Sequence, residues 1–77
     1  MIIKIYGADW CADCINLKRF LNQKNIPFEY IVVTENKEAT DFILKANNGK
    51  RIIPTIDING RVYTNPGIEE LMKIINE

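Results

Sequence analysis

The sequence predicts an α/β domain in which four short strands and three helices follow in the order β-α-β-α-β-β-α. Two observations support this prediction. Segments rich in β-branched and aromatic residues alternate with segments whose apolar residues recur at three- and four-residue spacing. An Asn-Gly pair separates two strand-like segments, as in a two-residue hairpin. The 77 residues are expected to form one domain, 1–77, near the lower size limit for folding around its own core.

The first strand and the first helix are predicted on either side of a short loop. Residues 2–6 are β-branched and aromatic, and a Gly-Ala-Asp sequence then interrupts the segment. Residues 12–24 have the apolar spacing of one helical face, with polar and charged residues opposite. Asn25 is a plausible end of this helix, and Pro27 prevents its continuation. The apolar face would consist of Cys14, Leu17, Phe20 and Leu21.

The same patterns predict the middle of the chain. The elements are a strand at 28–33, a helix at 35–46, a strand at 55–58 and its hairpin partner at 61–63. The second helix ends at an Asn-Asn-Gly sequence, whose residues tolerate a positive φ. Its buried side would consist of Ala39, Phe42, Ile43 and Ala46.

The last helix and the direction of the strands complete the predicted fold. Thr64 or Asn65 can cap the last helix, with Pro66 in its first turn. Its buried face would consist of Leu71, Ile74 and Ile75. Because helical crossovers join the first three strands, we expect those strands to be parallel, and the hairpin makes the fourth antiparallel.

Composition and charge exclude several classes of function. Ten basic and ten acidic side chains cancel, so no overall field attracts the chain to nucleic acid or to a membrane. The apolar runs are only a few residues long, which excludes a transmembrane helix. The first residues lack the features of a signal peptide, and we therefore expect a cytoplasmic protein. We also expect it to act as a monomer.

The Trp-Cys-Ala-Asp-Cys sequence contains both cysteines of the chain, Cys11 and Cys14. A helix start beside Cys11 would stabilise a thiolate, and Cys14 is near enough to resolve a mixed disulfide on Cys11. A structural disulfide would close a very short loop and so stabilise little. A zinc site normally needs four Cys or His ligands, and the chain has no His, so a metal site would require two subunits. The pair therefore predicts a redox-active dithiol.

With these elements in place, the chain resembles the glutaredoxins among the thioredoxin-fold redoxins. The resemblance covers nearly all 77 residues and rests on the Cys-x-x-Cys, the proline before the third strand, the hairpin and the closing helix. It is strongest for the branch with Trp before the first Cys, which includes the mycoredoxins. That branch shares the motifs Ala46-Asn47-x-Gly49, Pro54-Thr55 and Thr64-Asn65-Pro66. The resemblance implies a thioredoxin fold, with a four-stranded mixed sheet flanked by three helices.

The resemblance also implies several site residues. The Ile53–Pro54 peptide bond would be cis, and this loop would face the cysteines and pair with the substrate through its backbone. Arg51 stands where many glutaredoxins carry a basic residue that contacts a carboxylate of glutathione. Trp10 would form an apolar wall beside the cysteines. Lys18 matches a basic position of the same branch, or is a solvated surface charge.

Two departures from the family pattern bear on the thiol partner. Typical glutaredoxins carry Gly-Gly before the last helix, whereas this chain has Pro66 and Gly67. The N–H groups of Gly67 and Ile68 could hold a carboxylate, but Pro66 has no N–H to offer. Asp13 stands where glutaredoxins often have tyrosine, and its charge suits the helix dipole but opposes a thiolate at Cys11. The expected reductant is glutathione or another low-molecular-weight thiol, with no cofactor or metal required.

The expected function is reduction of mixed disulfides or protein disulfides, with a small thiol or a flavin-dependent reductase restoring the dithiol. One alternative is a protein-specific electron donor for ribonucleotide reductase or a peroxidase, recycled by thioredoxin reductase. A second is an iron–sulfur carrier in which two subunits share a cluster. A third is a redox-inert interaction module.

Overall fold

The computed structural model describes residues 1–76 and contains the seven elements in the predicted order. They are β1 (Ile3–Gly7), α1 (Ala12–Gln23), β2 (Glu29–Val32), α2 (Lys37–Ala46), β3 (Thr55–Ile58), β4 (Arg61–Thr64) and α3 (Ile68–Ile75). Within residues 1–76, the helices are too short and too polar for any of them to cross a membrane.

The four strands form one mixed sheet in the order β2-β1-β3-β4. β1 and β2 are parallel, as predicted, and β3 and β4 form the predicted antiparallel hairpin. The prediction that the first three strands are all parallel is wrong, because β3 runs antiparallel to β1.

The direction of β3 follows from where the chain enters it. Val32, at the end of β2, lies opposite Gly7, and Thr55, at the start of β3, lies opposite Tyr6. The chain therefore leaves β2 and enters β3 at the same end of the sheet. The expected parallel arrangement needs a crossover that returns the chain to the other end, as α1 does between β1 and β2. The connection through α2 and residues 47–54 makes no such return.

The sheet separates two hydrophobic cores, since successive residues of a strand point to opposite faces. One core packs α1 and α3 against the sheet and contains Ile3, Ile5, Leu17, Leu21, Ile56, Ile58 and Leu71. The other packs α2 against the opposite face and contains Tyr6, Val33, Ala39 and Ile43. In the second core, the ring of Phe42 stacks on that of Tyr6 at 4.6 Å between centroids. β1 and β3, which lie in the middle of the sheet, contribute buried residues that line these cores.

The predicted ends of α1 and α2 and the predicted hairpin turn are confirmed. Asn25, after α1, and Asn48, after α2, have left-handed backbones with φ of 57° and 56°. The N–H of Ile26 donates to the carbonyl of Leu21 at 2.9 Å, which satisfies one of the last carbonyls of α1. At the hairpin, Asn59 and Gly60 both have positive φ, as a two-residue turn of this kind requires.

The predicted starts of α2 and α3 need correction. Glu35 has φ 64° and cannot be helical; α2 begins at Lys37, and the Asn36 side chain accepts the N–H of Ala39 at 3.0 Å. Ala46, predicted to be buried, is exposed in the last turn of α2.

The last helix begins two or three residues later than the predicted caps, Asn65 and Thr64, would place it. Its N-cap is Gly67, and neither Thr64 nor Asn65 caps it. The Thr64 hydroxyl hydrogen-bonds to Asn47, and the N–H of Asn65 donates to the carbonyl of Pro54 at 2.7 Å. These groups hold the loop before β3, which is why Pro66 lies before the helix and not within its first turn.

Candidate active site

Cys11 is the N-cap residue of α1 and lies half-exposed at the start of the helix. Its backbone is extended, with φ −85° and ψ 114°, and its carbonyl accepts the N–H of Ile15 at 3.0 Å. Its sulfur takes the place of the usual capping oxygen, because the N–H of Cys14 donates to Cys11 Sγ at 3.3 Å. A backbone donor and the positive end of the helix dipole thus face this sulfur, as in sites that stabilise an attacking thiolate.

Cys14 lies one turn further along α1, and its exposed fraction is 0%. Its side chain packs on the backbone of Gly7 so closely that a Cβ on that residue would lie 2.7 Å from Cys14 Sγ. Burial, together with the hydrogen bond to the Cys11 sulfur, raises the pKa of the Cys14 thiol to about 11. Cys14 is therefore a protonated thiol at neutral pH, held within reach of Cys11.

Both cysteines are free thiols in this structure. Their two sulfurs differ in the properties that matter for disulfide exchange: one is accessible at a helix start, and the other is buried and protonated. The arrangement can support an attack by Cys11 on an incoming disulfide and a later attack by Cys14 on Cys11.

The Ile53–Pro54 peptide bond is cis, as the resemblance implied. Since Tyr6 pairs with Thr55, the first residue of β3, the loop at Pro54 lies at the end of the sheet where β1 leads to Cys11. Pro54 is buried and Ile53 is half-buried. Within residues 1–76, the backbone of Ile53 makes no hydrogen bond to other backbone groups, so its N–H and carbonyl can pair with a substrate.

A buried side-chain cluster positions the loop at Pro54. The amide of Asn47 donates to the carbonyl of Ile43 at 2.7 Å and to Thr55 Oγ1 at 3.1 Å, and its oxygen accepts the hydroxyl of Thr64. Thr55 Oγ1 donates in turn to the carbonyl of Ile52 at 2.7 Å. The cluster thus brings together one residue from each of the three family motifs noted in the sequence. The motifs were the available signal, but the sequence analysis assigned Asn47 and Thr64 only to helix ends and gave Thr55 no role.

A cleft of about 550 Å³ runs between the start of α1 and the start of α3. It brings together three of the predicted binding residues, Asp13, Gly67 and Ile68. The other lining residues are Asn16, Leu17, Asn65, Pro66 and Glu69. No side chain caps α3, so its first N–H groups are available to a ligand. The carboxylates of Asp13 and Glu69 give the cleft a negative charge.

The remaining predicted residues lie outside this cleft. The side chain of Trp10 is 74% exposed beside Cys11 and is not part of the packed core. Arg51 is exposed in the loop before Pro54. Lys18 is not a free surface charge, because its Nζ lies 4.0 Å from the centre of the Tyr30 ring in a cation–π contact.

The comparisons with known proteins agree with this geometry. The glutaredoxin family model matches residues 3–63, which include both cysteines, Arg51 and Pro54. The chain belongs to the glutaredoxin family. Family membership supports thiol oxidoreductase activity in general.

Individual relatives cover most of the chain. Mycoredoxin 1 of Corynebacterium glutamicum is 32% identical over 71 residues, which are 91% of this chain and 87% of the relative. The crystal structure of the thioredoxin-like protein BC3987 has a TM-score of 0.81 and 28% identity, and covers 94% of this chain and 97% of its own. The glutaredoxin-like NrdH-redoxin from Escherichia coli, which has a thioredoxin-like activity profile, has a TM-score of 0.68 and 30% identity. That match covers 83% of this chain and 82% of the redoxin. These likenesses establish the thioredoxin fold for this chain.

Proposed function

We propose that the protein is a thiol–disulfide oxidoreductase that reduces mixed disulfides through Cys11 and Cys14. The observation that carries this proposal is the contrast between a half-exposed sulfur at the helix start and a fully buried one a turn later. An attacking thiolate must reach the substrate, whereas a resolving thiol needs to reach only the first sulfur. No general base is needed, because the rate depends on the thiolate fraction and on the leaving thiol.

The reaction takes two displacement steps. The Cys11 thiolate attacks one sulfur of a disulfide, forms a mixed disulfide and releases the other sulfur as a thiolate, which takes a proton from water. Cys14 then loses its proton to water and attacks Cys11 Sγ. The Cys11–Cys14 disulfide closes, the second substrate sulfur leaves as a thiol, and two electrons have passed from the dithiol to the substrate.

Substrate binding is assigned to the loop at Pro54 and to the helix starts. The free backbone groups of Ile53 pair with the chain on either side of the substrate disulfide. Trp10 provides the exposed apolar surface next to Cys11. Gly67 and Ile68 offer backbone N–H groups, and Asp13 sets the charge of the same cleft.

The reductant in this proposal is a low-molecular-weight thiol, for which likeness to mycoredoxin 1 is the support. Arg51 is the candidate cation for a carboxylate on such a thiol. The cleft itself is unfavourable for an acidic thiol, since Asp13 and Glu69 line it and Pro66 lacks an N–H.

A second candidate function is that of an electron donor to a particular protein, recycled by thioredoxin reductase. The negative cleft favours it, because a cleft that repels the carboxylates of a small thiol leaves protein disulfides as substrates. The likeness to NrdH-redoxin, which has a thioredoxin-like activity profile, supports the same candidate.

One experiment separates the two candidates. The oxidised protein is offered reduced glutathione, other small thiols, or thioredoxin reductase with NADPH, and the return of two free thiols is followed. Recycling by small thiols alone supports the first candidate, and recycling by the reductase alone supports the second. If the oxidised protein forms no Cys11–Cys14 disulfide, both candidates fail.

The role of Arg51 is tested with a matched control. Arg51→Ala should raise the KM for an acidic small thiol several-fold without changing the rate of attack on an uncharged disulfide. Lys50→Ala removes the neighbouring exposed charge and should leave both parameters unchanged. Equal effects from the two variants would show that only overall charge matters, which would remove Arg51 from the binding site.

A further inference from the structure

The side chain of Tyr30 extends from β2 into the space beneath the start of α1. Its hydroxyl donates to the carbonyl of Ala8 at 2.7 Å. A Cβ placed on Gly7 would lie 2.7 Å from the Tyr30 hydroxyl oxygen and also 2.7 Å from Cys14 Sγ. Both groups therefore border the α-carbon of Gly7, where only a residue without a side chain fits.

We propose that Tyr30 is a positioning residue for the resolving cysteine: its hydroxyl turns from the Ala8 carbonyl to Cys14 Sγ and donates to the thiolate that attacks Cys11. This inference rests on the proposed function, because it assigns a role within the resolving step. Sequence reasoning gave no signal for it, since a tyrosine in a strand is common for packing reasons alone.

Because the Tyr30 hydroxyl and Cys14 Sγ both border Gly7, rotation of the hydroxyl hydrogen about the C–O bond turns the donor from Ala8 towards the Cys14 side of this space. While Cys14 is a thiol, the Tyr30 oxygen can accept a hydrogen bond from its S–H and donate its own hydrogen to Ala8. When Cys14 has lost its proton, the sulfur can no longer donate and becomes a strong acceptor. The hydroxyl then gains more by donating to the charged sulfur than to a neutral carbonyl.

Tyr30 donates a hydrogen bond in this step and keeps its proton. Burial and the neighbouring Cys14 raise the pKa of the Tyr30 hydroxyl above its ordinary value, so it is not a base at neutral pH. The proton lost by Cys14 passes to water, and the substrate sulfur released from Cys11 takes up a proton in its turn. The hydrogen bond from Tyr30 therefore changes neither the number of protons nor the number of electrons transferred in the proposed reaction.

The same contacts control when Cys14 becomes reactive. The sulfur of Cys11 is one of the causes of the raised pKa of Cys14, after burial, whereas Ala8 and Tyr30 act in the opposite direction. Once Cys11 is bonded to a substrate sulfur, it carries no charge to repel the Cys14 thiolate. The backbone N–H of Ala8 and the hydroxyl of Tyr30 can still donate to the Cys14 sulfur. Cys14 therefore ionises more readily in the mixed disulfide than in the resting dithiol.

The charged groups around Tyr30 are consistent with this role. Lys18 lies over the face of the ring, with its Nζ 4.0 Å from the ring centre. Cys14, Cys11 and Asp9 are the groups facing Tyr30 that are negative when they ionise. A pH profile of the resolving step must therefore be interpreted with Lys18 and Asp9 as neighbours.

The test uses Tyr30→Phe, which removes only the hydroxyl. Tyr63→Phe is the control, because Tyr63 is another half-buried tyrosine that packs against the same core. Rapid mixing with a fluorescent mixed disulfide separates the attack by Cys11 from closure of the Cys11–Cys14 disulfide. We expect about a tenfold or larger fall in the closure rate at neutral pH for Tyr30→Phe, because a hydrogen bond to a charged group is lost. The pH dependence of the closure rate in Tyr30→Phe should also move to higher pH, while the rate of attack by Cys11 stays unchanged.

A second measurement titrates Cys14 alone. In a Cys11→Ser background, thiolate absorbance against pH should show a higher pKa of Cys14 with Tyr30→Phe than with Tyr63→Phe. If Tyr30→Phe does not fold, 3-fluorotyrosine at position 30 replaces it, and its more acidic hydroxyl should lower the pKa of Cys14 and speed closure near neutral pH.

The outcomes distinguish this inference from the proposed function. If Tyr30→Phe slows attack and closure equally, or leaves closure and its pH profile unchanged, the inference is overturned while the dithiol mechanism stands. An unchanged pKa of Cys14 with 3-fluorotyrosine would overturn it as well. If wild-type protein forms no mixed disulfide at Cys11, the proposed function fails before Tyr30 is tested.

Discussion

The surroundings of Cys11 and those of Cys14 differ more than their positions in the chain suggest. Cys11 caps α1, faces solvent and accepts a backbone N–H, whereas Cys14 is enclosed by Gly7, Ala8 and Tyr30. The two side chains are chemically identical and one helical turn apart. Their division of roles therefore comes from accessibility and from the donors around each sulfur, not from the residue type.

The largest expected effect comes from removing the exposed sulfur. Cys11→Ser should abolish the reduction of every disulfide substrate, because the buried Cys14 cannot reach a substrate sulfur. Steady-state reduction of a mixed disulfide and of a protein disulfide measures this directly. Activity of Cys11→Ser above the uncatalysed rate with either substrate would show that Cys14 is accessible. That result would contradict the contrast between an accessible Cys11 and an enclosed Cys14.

Removing the buried sulfur should have a selective effect. Cys14→Ser keeps the attacking thiol, so reduction of a mixed disulfide between a small thiol and a peptide should continue if a small thiol regenerates Cys11. Reduction of protein disulfides should collapse, because the mixed disulfide can no longer be resolved from within. Mass spectrometry should show the trapped adduct on Cys11. Equal loss of both activities would mean that Cys14 also supports the attacking step.

Filling the space around Cys14 should destabilise the fold without touching Cys11. In Gly7→Ala, the new methyl group would lie 2.7 Å from Cys14 Sγ and from the Tyr30 hydroxyl. We expect a loss of about 1–3 kcal/mol in the free energy of unfolding, as for other overpacked interiors. Urea unfolding of the reduced protein measures it.

Gly67→Ala is the matched control for Gly7→Ala. The φ of Gly67 is −71°, and a Cβ there would meet no atom within 4 Å. Because Gly67 is the N-cap of α3, this change should lower the free energy of unfolding by about 0.5 kcal/mol, less than in Gly7→Ala. Similar losses in the two variants would contradict the tight packing of Cys14 on Gly7.

The smallest expected effect is a dependence of stability on alkaline pH. The pKa of Cys14 is raised to about 11 in the folded protein, so between its ordinary value and that pH the folded state keeps a proton that the unfolded state has lost. Stability must fall as pH rises through this window. Tyr30, whose pKa is also raised, acts with the same sign. Urea unfolding of the reduced protein from about pH 8 to about pH 10.5 should show a steeper fall than in Cys14→Ser. Parallel curves would show that Cys14 ionises normally in the fold.

Several elements could be predicted because the interactions that form them are local. The helix start beside Cys11, the end of α1 at Asn25 and the Asn59–Gly60 turn depend on residues within a few positions of one another. The start of α3 could not be predicted on the same grounds. Thr64 and Asn65 are good capping residues, but both are engaged by Asn47 and Pro54, which are distant in the sequence.

By itself, the sequence determined the order of the elements, the dithiol at the start of α1 and the cis proline loop that its family resemblance implied. Only the tertiary structure decided the direction of β3, the cluster around Asn47 and the position of Tyr30 beneath Cys14. Helix periodicity, caps and tight turns depend on neighbours along the chain, so the residue pattern records them. Strand pairing and the partners of a buried polar group depend on residues far apart in the chain, and many pairings satisfy the same local pattern until the whole core is packed.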